Sequence, residues 1–331
     1  MIIWKAKEVL SMSVQRVLVT GGAGFIGSHI VDKLVEEKYE VGALDNLTTG
    51  NLANISDHVS ANRVKFHKCD ISDYESVSKV VKEYDAVIHE AALVSVSRSV
   101  ENPLLTNGVN VNGTMNLLKA SVDSGVQKFI YASSSSVYGD TETLPKKETM
   151  ITAPISPYGV SKLAAENYCR TFAKVYGLNT VCLRYFNVYG PRQKYGHYSG
   201  VIPIFIKKAL SNEAPAINGD GEQTRDFTYV SDVVQANLLA LKKNVSPGTV
   251  YNAAAGGMIS INNLAKKILD LTGKKSLEPV HGPPRAGDIR ASYSDVSKIS
   301  KELGFKPQVV IQEGLRRVVD WFLAGNQAKW E

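Results

Sequence analysis

Short apolar runs and longer amphipathic runs alternate along the first 190 residues of the chain. Runs such as Arg16–Thr20 and residues 180–184 are rich in valine and leucine, as strands buried in a parallel sheet are. Amphipathic runs between them, notably residues 111–124 and 157–175, predict helices. This alternation predicts an α/β fold with a doubly wound, mostly parallel, Rossmann-like sheet and a smaller C-terminal substrate domain.

A glycine-rich segment follows the first predicted strand. Residues 21–27 read Gly-Gly-Ala-Gly-Phe-Ile-Gly and precede a helical run. Glycines at such a turn let the backbone approach a pyrophosphate at the start of the helix. The spacing is not the strict G-x-G-x-x-G, but its place between strand and helix is the one that the motif requires. The cofactor-binding residues predicted here are Gly21, Gly24, Phe25, Ile26 and Gly27.

Two acids follow later predicted strands. Asp45 ends the second strand, about twenty residues beyond the glycines, where a carboxylate hydrogen-bonds the adenosine ribose of a dinucleotide. Because a carboxylate there repels a 2′-phosphate, Asp45 favours NAD over NADP; an ordinary loop acid is the alternative. Asp70 ends a further strand where adenine is expected, although an aspartate can also cap a helix, as Asp73 can in the same stretch.

Tyr158 and Lys162 stand one helical turn apart and predict a catalytic pair. Ser156 is a good N-cap and Pro157 suits the first helical position, so Tyr158 falls in the first turn. A free tyrosine has a pKa near ~10, and a neighbouring ammonium and the helix dipole lower it towards working range. Ser134 follows an apolar run at residues 126–131 that predicts a buried strand, and its hydroxyl can share the proton. Such a group removes a hydroxyl proton while a hydride leaves the carbon.

Composition narrows the class. The chain has 331 residues, of which 44% are hydrophobic and 21% charged, as in a soluble globular protein. No apolar run reaches the ~18 residues of a membrane span, and residues 1–10 carry charges where a signal peptide is apolar. We therefore expect a cytoplasmic protein with a short helix at residues 1–10.

Cysteines, histidines and net charge give three further expectations. Cys69, Cys169 and Cys182 show no paired spacing, which indicates reduced thiols. The six histidines have no ligand spacing, so we predict no metal. The net charge of +6 can attract an anionic sugar nucleotide, but no dense basic run with aromatics predicts nucleic-acid binding.

The regular alternation stops after residue 190. Gly/Pro turns at residues 218–221 and 281–284 separate short elements. We predict an NAD-binding domain at residues 1–190 and a smaller substrate-binding domain at residues 191–331. Part of residues 226–256 is expected to return to the first domain.

With these motifs in place, the chain resembles the extended short-chain dehydrogenases/reductases that act on nucleotide sugars, and within them UDP-hexose 4-epimerases. The similarity runs from about residue 20 to residue 315. The matching blocks are residues 20–28, 45–46, 89–92, 110–114, 133–136, 156–158, 184–192 and 224–227.

The resemblance implies residue roles and a mechanism. Tyr158 and Ser134 would handle the proton of the sugar 4-hydroxyl, and Lys162 would bind the nicotinamide ribose. A tightly held NAD would take the C4 hydride, and the 4-keto sugar would rotate before hydride returns to its other face. Further predicted cofactor-binding residues are Asn46, Asp70, Ile71, Ala91, Ala92, Asn110 and Tyr185. Further predicted substrate-binding residues are Ser95, Ser136, Asn187, Val201, Asn218, Arg225, Arg285, Asp288 and Ser292.

Individual residues separate the possible reactions. Similar 4,6-dehydratases carry Thr-Asp-Glu where this chain has serine at 134–136, and hydroxyls do not supply the acid and base that eliminate water. Serine at 292, where epimerases of plain sugars carry tyrosine, leaves room for an N-acetyl group. We therefore expect UDP-GlcNAc/UDP-GalNAc and UDP-Glc/UDP-Gal as substrates, although Val94 is larger than the residue expected beside such a group.

Other interpretations stay open. A uronic acid 4-epimerase is one, although such enzymes tend to lack asparagine at 187. Surface solvation is the alternative for Arg225 and Arg285, and a non-catalytic NAD-binding regulator is the alternative for the whole chain. The resemblance also implies a homodimer in which helices near residues 111–124 and 157–175 form a four-helix interface.

Overall fold

The computed structural model describes residues 14–195, 200–284 and 289–325. The helix expected at residues 1–10 lies outside these ranges. The strands are β1 (Arg16–Thr20), β2 (Glu40–Asp45), β3 (Val64–Lys68), β4 (Ala86–His89), β5 (Lys128–Ser134), β6 (Thr180–Tyr185), β7 (Asn187–Tyr189), β8 (Ala216–Asn218), β9 (Thr224–Arg225), β10 (Phe227–Tyr229), β11 (Thr249–Ala253), β12 (Ile259–Ser260), β13 (Val280–Gly282) and β14 (Ala291–Ser292).

The helices are α1 (Phe25–Glu36), α2 (Ser56–Ser60), α3 (Tyr74–Val81), α4 (Val96–Glu101), α5 (Pro103–Asn107), α6 (Gly113–Ser124), α7 (Pro157–Tyr176), α8 (Val201–Leu210), α9 (Val230–Lys242), α10 (Ile261–Leu271), α11 (Ser297–Leu303) and α12 (Ile311–Leu323). Leu52–Asn54 and Ser135–Tyr138 form 3₁₀ turns, and Gly108–Asn112 forms a π-helical turn. Within the described ranges, no helix has the length and apolar character needed to cross a membrane.

Seven parallel strands form the central sheet, in the order β11-β6-β5-β4-β1-β2-β3. The chain builds outwards from β1 to β3 and then crosses back to β4, so the strand order reverses between β1 and β4. Ligands bind at such a switch point, beyond the carboxyl ends of the strands. The predicted fold class is confirmed.

Apolar residues bury both faces of this sheet. In β1, Val17, Leu18 and Val19 are all inaccessible to solvent, because helices cover the two sides. Each such side chain contributes about 1.5–3 kcal/mol on burial. A second apolar cluster joins α8, α10 and α12 around Phe205 and Leu264, and supports the small strands beside the site.

The small strands connect the later part of the chain to the sheet. β7 pairs in parallel with β10, β9 lies between β12 and β14, and β8 pairs with β13. Residues 226–256 contribute β10 and α9 as well as β11, which is the edge strand of the central sheet beside β6. The division into two domains at residue 190 remains our prediction.

Element boundaries differ from the sequence pattern in two places that matter for the site. The run predicted as a strand at residues 126–131 continues to Ser134, so the first serines of the serine run belong to β5. The helix predicted from residue 111 begins at Gly113, after the π-helical turn. The helix cap predicted at Asp73 is present at the start of α3, where the Asp73 carboxylate accepts from Ser76 N at 3.2 Å.

Candidate active site

The glycine turn between β1 and α1 leaves no room for side chains. Gly21 has φ +66°, and a Cβ there would lie 2.8 Å from the backbone nitrogen of Ala91. A Cβ on Gly27 would lie 2.2 Å from the carbonyl oxygen of Gly21. Gly24 precedes α1 and provides no capping side chain, so the N–H groups of the first turn of the helix, at Phe25 and Ile26, are available to an anion.

The predicted adenosine-side residues meet at the ends of β2 and β3. The Asp45 carboxylate accepts from Ala23 N at 3.1 Å and Leu47 N at 2.8 Å, while burial raises its pKa. Asn46 Nδ2 donates to Asp70 at 2.8 Å. Burial acts to raise the pKa of Asp70, but hydrogen bonds, including this one, outweigh it and leave that pKa lowered. Ile71, next in the chain, is buried.

Ser134, Tyr158 and Lys162 come together where β5 ends and α7 begins. Ser156 caps α7 through Gly159 N at 3.1 Å, which places Tyr158 in the first turn. The Ser134 side chain lies beside Tyr158 and acts to lower the pKa of its hydroxyl. Lys162 is 4% exposed and its Nζ donates to the carbonyl oxygen of Ala132 in β5 at 2.8 Å.

Ser136 and helix α4 both contact the group formed by Ser134, Tyr158 and Lys162. Ser136 Oγ donates to Ser134 Oγ at 2.9 Å, so the two hydroxyls form one polar edge. The backbone nitrogen of Tyr158 donates to Ser99 Oγ at 3.0 Å. Ser95 caps the N-terminus of α4, because its Oγ accepts from Arg98 N at 3.1 Å. Since Ser99 lies in the same helix, this cap also helps to fix the position of Tyr158.

The pKa of Tyr158 is raised, whereas the sequence predicted that Lys162 and the helix dipole would lower it. Burial raises this pKa to about 12; the Ser134 side chain opposes the shift and the nearby Glu90 carboxyl adds to it. Burial also lowers the pKa of Lys162 to about 8, which Glu90 opposes. A low-dielectric site disfavours either charge alone, so proximity to Lys162 does not by itself bring Tyr158 into working range.

A buried histidine ties the site to the sheet. Thr114 Oγ1 donates to Asn110 O at 2.6 Å, so it must accept from His89 Nε2, 2.9 Å away. His89 Nδ1 then accepts from Thr20 Oγ1 at 2.7 Å, and Thr20 accepts from Ala91 N at 3.3 Å. Burial, with a smaller contribution from Lys162, lowers the pKa of His89 to about 3, so the ring is neutral.

Asn110 and Tyr185, both predicted to bind cofactor, have protein partners. Asn110 Oδ1 accepts from Leu93 N at 2.8 Å, and Nδ2 donates to Leu93 O at 3.1 Å and Ser161 Oγ at 3.0 Å. Asn110 therefore shapes the loop that carries Ala91 and Ala92. The Tyr185 hydroxyl donates to Glu90 Oε1 at 2.6 Å.

The predicted sugar-side residues lie on the small strands. Ser292 of β14 is 5% exposed and is the register partner of Arg225 in β9. Arg225 is half-buried and its Nη1 donates to Thr224 O at 2.8 Å. Asn187 opens β7 directly after β6, and its Nδ2 donates to Asp226 O at 3.2 Å.

Five further residues named from the sequence remain. Val201 is the first residue of α8 and is half-buried, whereas Asn218 is exposed at the end of β8. Val94 is 70% exposed. Arg285 and Asp288 lie outside the described residues.

Several polar residues of the site escaped the sequence analysis. Arg184 and Glu166 form a buried ion pair below β5, with Nη2 and Oε1 2.6 Å apart, and Ser133 Oγ donates to the same carboxylate at 2.6 Å. Glu90 and Asn237 flank Tyr185. Arg184 can be recognised from the sequence, because a charged residue inside an apolar run indicates a buried ion pair. No comparable signal marks Asn237. Among the described residues, no three His, Cys, Asp or Glu side chains cluster as a metal site.

The sequence matches a known family. The profile of the NAD dependent epimerase/dehydratase family matches residues 17–254, more than half of the chain. A UDP-glucose 4-epimerase of Mycolicibacterium smegmatis is 37% identical over 315 residues, which is 94% of this chain and all of that protein.

Solved structures are similar over nearly their whole length. The UDP-glucose 4-epimerase of Thermotoga maritima, solved with UDP-glucose, superposes with a TM-score of 0.89 at 42% identity, covering 94% of this chain and 99% of that one. The UDP-N-acetylglucosamine 4-epimerase of Methanobrevibacter ruminantium, solved in complex with UDP-N-acetylmuramic acid, gives 0.90 at 39% identity, covering 95% and 100%.

Proposed function

The chain belongs to the NAD-dependent epimerase/dehydratase family, and on that premise we propose that it interconverts UDP-hexoses at C4, with N-acetylated as well as plain sugars as substrates. It is an isomerase of the UDP-sugar 4-epimerase group. The observation that carries the proposal is the meeting of Tyr158, Ser134 and Lys162 at the carboxyl edge of the sheet, where Lys162 Nζ is bonded to Ala132 O and Ser134 lies beside Tyr158.

NAD is the cofactor, and the residues present fit it. The turn at Gly21 and Gly27 packs too closely for a Cβ, and this close packing places the uncapped start of α1 next to the end of β1, where a pyrophosphate would meet its N–H groups. Asp45, held by two backbone N–H groups, offers a carboxylate edge to ribose hydroxyls. When bound, NAD accepts the C4 hydride and returns it. Lys162, at the start of α7, would hold the nicotinamide ribose.

The protein's own part in the reaction is acid–base chemistry and positioning. As the C4–H bond of the sugar breaks, its 4-hydroxyl proton would pass to the phenolate form of Tyr158, which the positive charges of Lys162 and of a bound oxidised nicotinamide would favour against burial, with Ser134 holding the oxygen, and C4 becomes a ketone. The reverse proton transfer from Tyr158 to O4 accompanies the return of hydride to the other face. Between the two steps Arg225 and Asn187 would keep the diphosphate fixed while the sugar turns.

Ser292 supports the N-acetylated substrates. It is buried on β14, in register with Arg225, and its side chain is much smaller than the tyrosine that epimerases of plain sugars are expected to carry there. A Ser292→Tyr variant is expected to lose UDP-GlcNAc turnover and keep UDP-Glc turnover, with Ser292→Ala as the matched control that keeps both. Equal loss on both sugars would show that residue 292 does not select the acetamido group.

The direct test needs no added NAD. Purified protein is incubated separately with UDP-Glc and UDP-GlcNAc, and products are resolved by proton NMR. Conversion of both to the galacto epimers supports bound NAD, 4-epimerisation and a roomy sugar pocket. Conversion of UDP-Glc alone keeps the reaction and refutes the role of Ser292. No epimer from either, even with NAD added, refutes the proposed substrates.

A homodimer in the cytoplasm is part of the same proposal. Large apolar side chains are exposed on α4, α5 and α7, including Val100, Leu104 at 85% and Val160. A second copy packed on these helices would bury them, and the four-helix arrangement expected from the resemblance uses α6 and α7. Light scattering of the wild type and a Leu104→Glu variant tests it: a monomeric wild type refutes the dimer.

A further inference from the structure

Glu90 lies just past the carboxyl end of β4, among the residues assigned to cofactor and catalysis. Its Oε1 accepts a hydrogen bond from the Tyr185 hydroxyl, 2.6 Å away at the end of β6. The oxygen of that hydroxyl accepts from Asn237 Nδ2 of α9, also at 2.6 Å. Two short hydrogen bonds therefore run from α9 through Tyr185 to Glu90.

Helix α9 fixes the direction of these bonds. Asn237 Nδ2 also donates to Val233 O at 2.9 Å, one turn earlier in α9. Since a carbonyl oxygen only accepts, turning the amide over would place Oδ1 against that carbonyl. Nδ2 must therefore face both partners, and buried Asn237 Oδ1 is left without a partner among the described residues. Tyr185 accepts from Asn237 and directs its own proton at Glu90, which favours the carboxylate form.

This carboxylate lies at the same edge of the sheet as the ammonium group of Lys162. His89 and Tyr131 are register partners in β4 and β5, so Glu90 and Ala132 follow on neighbouring strands. Lys162 Nζ is bonded to Ala132 O, which brings its charge to the same edge. Burial lowers the pKa of Lys162 to about 8 and Glu90 opposes this; burial raises the pKa of Glu90 to about 7, which the Tyr185 bond and Lys162 oppose. Each charge stabilises the other.

The titratable groups around the pair come from three elements. Lys162 of α7 and Tyr185 of β6 act on Glu90, and Glu90 acts in turn on Tyr158 of α7. The neutral ring of His89 precedes Glu90 on β4. The Cys169 thiol, on α7, is a further side chain near Lys162.

We propose that Glu90 is a positioning residue that keeps Lys162 protonated through neutral and mildly alkaline pH, with Tyr185 and Asn237 holding its carboxylate in place. The importance of Glu90 for turnover rests on the proposed epimerase function, in which Lys162 acts beside Tyr158. The link between the two charges exists in the protein whatever the substrate is.

A first experiment measures the protonation of Lys162 without turnover. The protein is labelled with ¹³C-lysine, and the ¹³Cε chemical shift of the Lys162 side chain, assigned with a Lys162→Arg variant, is followed by NMR across a pH series. In a Glu90→Gln variant, which keeps an acceptor for Tyr185, the midpoint of this titration is expected to fall by about one pH unit. An unchanged midpoint overturns the proposal. Tyr185→Phe is expected to move it in the same direction by less, and an upward shift there would overturn the role of Tyr185.

A second experiment measures the pH profile of epimerisation. In Glu90→Gln the alkaline limb is expected to move to lower pH by the same amount, whereas a merely structural role lowers turnover equally at every pH. A uniform loss therefore overturns the proposal. Glu83→Gln, which removes an exposed carboxylate paired with Lys65 at 2.5 Å, is the control and leaves both readouts unchanged. If the wild type epimerises no UDP-sugar, the proposed function fails while the NMR titration still decides the link between Glu90 and Lys162.

Discussion

The buried imidazole of His89 predicts a specific loss of stability in acid. His89 is neutral in the fold because its two ring nitrogens are committed to Thr20 and Thr114 and burial lowers its pKa to about 3. In the unfolded chain its pKa is near ~6.5. A group whose folded pKa is lowered in this way binds a proton more readily when unfolded. Its contribution to stability is therefore full above pH ~6.5 and is lost as pH falls towards 3.

The size of the effect follows from these two values. Each pH unit between them removes about 1.4 kcal/mol from the free energy of unfolding. Between pH 7 and pH 5, His89 alone is expected to cost about 2 kcal/mol. A His89→Gln variant loses hydrogen bonds worth roughly 1–3 kcal/mol at pH 7 but has no imidazole to protonate, so its further loss at pH 5 should be smaller than that of the wild type by about 2 kcal/mol.

Urea unfolding followed by circular dichroism, at both pH values and one saturating NAD concentration, measures this difference. Other groups titrate in the same range, including His29, whose pKa burial lowers to about 4, and Asp226, whose pKa burial raises to about 7. Both proteins share them, so they cancel in the comparison. Equal losses in wild type and variant would refute the reasoning and mean that His89 is solvated or charged in the fold.

Three further predictions concern the site. Tyr158→Phe is expected to lower turnover about 10²–10⁴-fold while bound NAD, measured after denaturation, stays at the wild-type level; undiminished turnover would remove Tyr158 from the mechanism. Glu166→Gln leaves Arg184 buried and unpaired and should cost about 3–5 kcal/mol in urea unfolding, against roughly 0–1 kcal/mol for the exposed Glu83→Gln. Gly27→Ala should release NAD on gel filtration, since its Cβ would meet Gly21 O at 2.2 Å.

Local sequence signals predicted the elements that carry the site. Ser156 and Pro157 mark the start of α7, and the structure has the cap and the helix there. The glycine turn and the acids after β2 and β3 likewise follow from strand ends and spacing, because in a parallel sheet these ends meet at one edge.

Long-range polar contacts could not be predicted from the same signals. Tyr185 and Glu90 are 95 residues apart in sequence, and Tyr185 and Asn237 are 52 apart. Nothing local distinguishes Asn237 from any other polar residue in an amphipathic helix. The raised pKa of Tyr158 could not be predicted from the sequence either, because burial and the charge of Glu90 both depend on the assembled fold.

One residue, Phe186, separates β6 of the central sheet from β7, which carries Asn187. β7 pairs with β10, so the small strands that carry predicted sugar-binding residues are connected to the central sheet through a single residue. A rigid-body swing about this joint would drag Tyr185 and disturb Glu90. In the proposed epimerisation, this short connection would keep Asn187 and Tyr185 in a fixed relation to each other while the sugar turns.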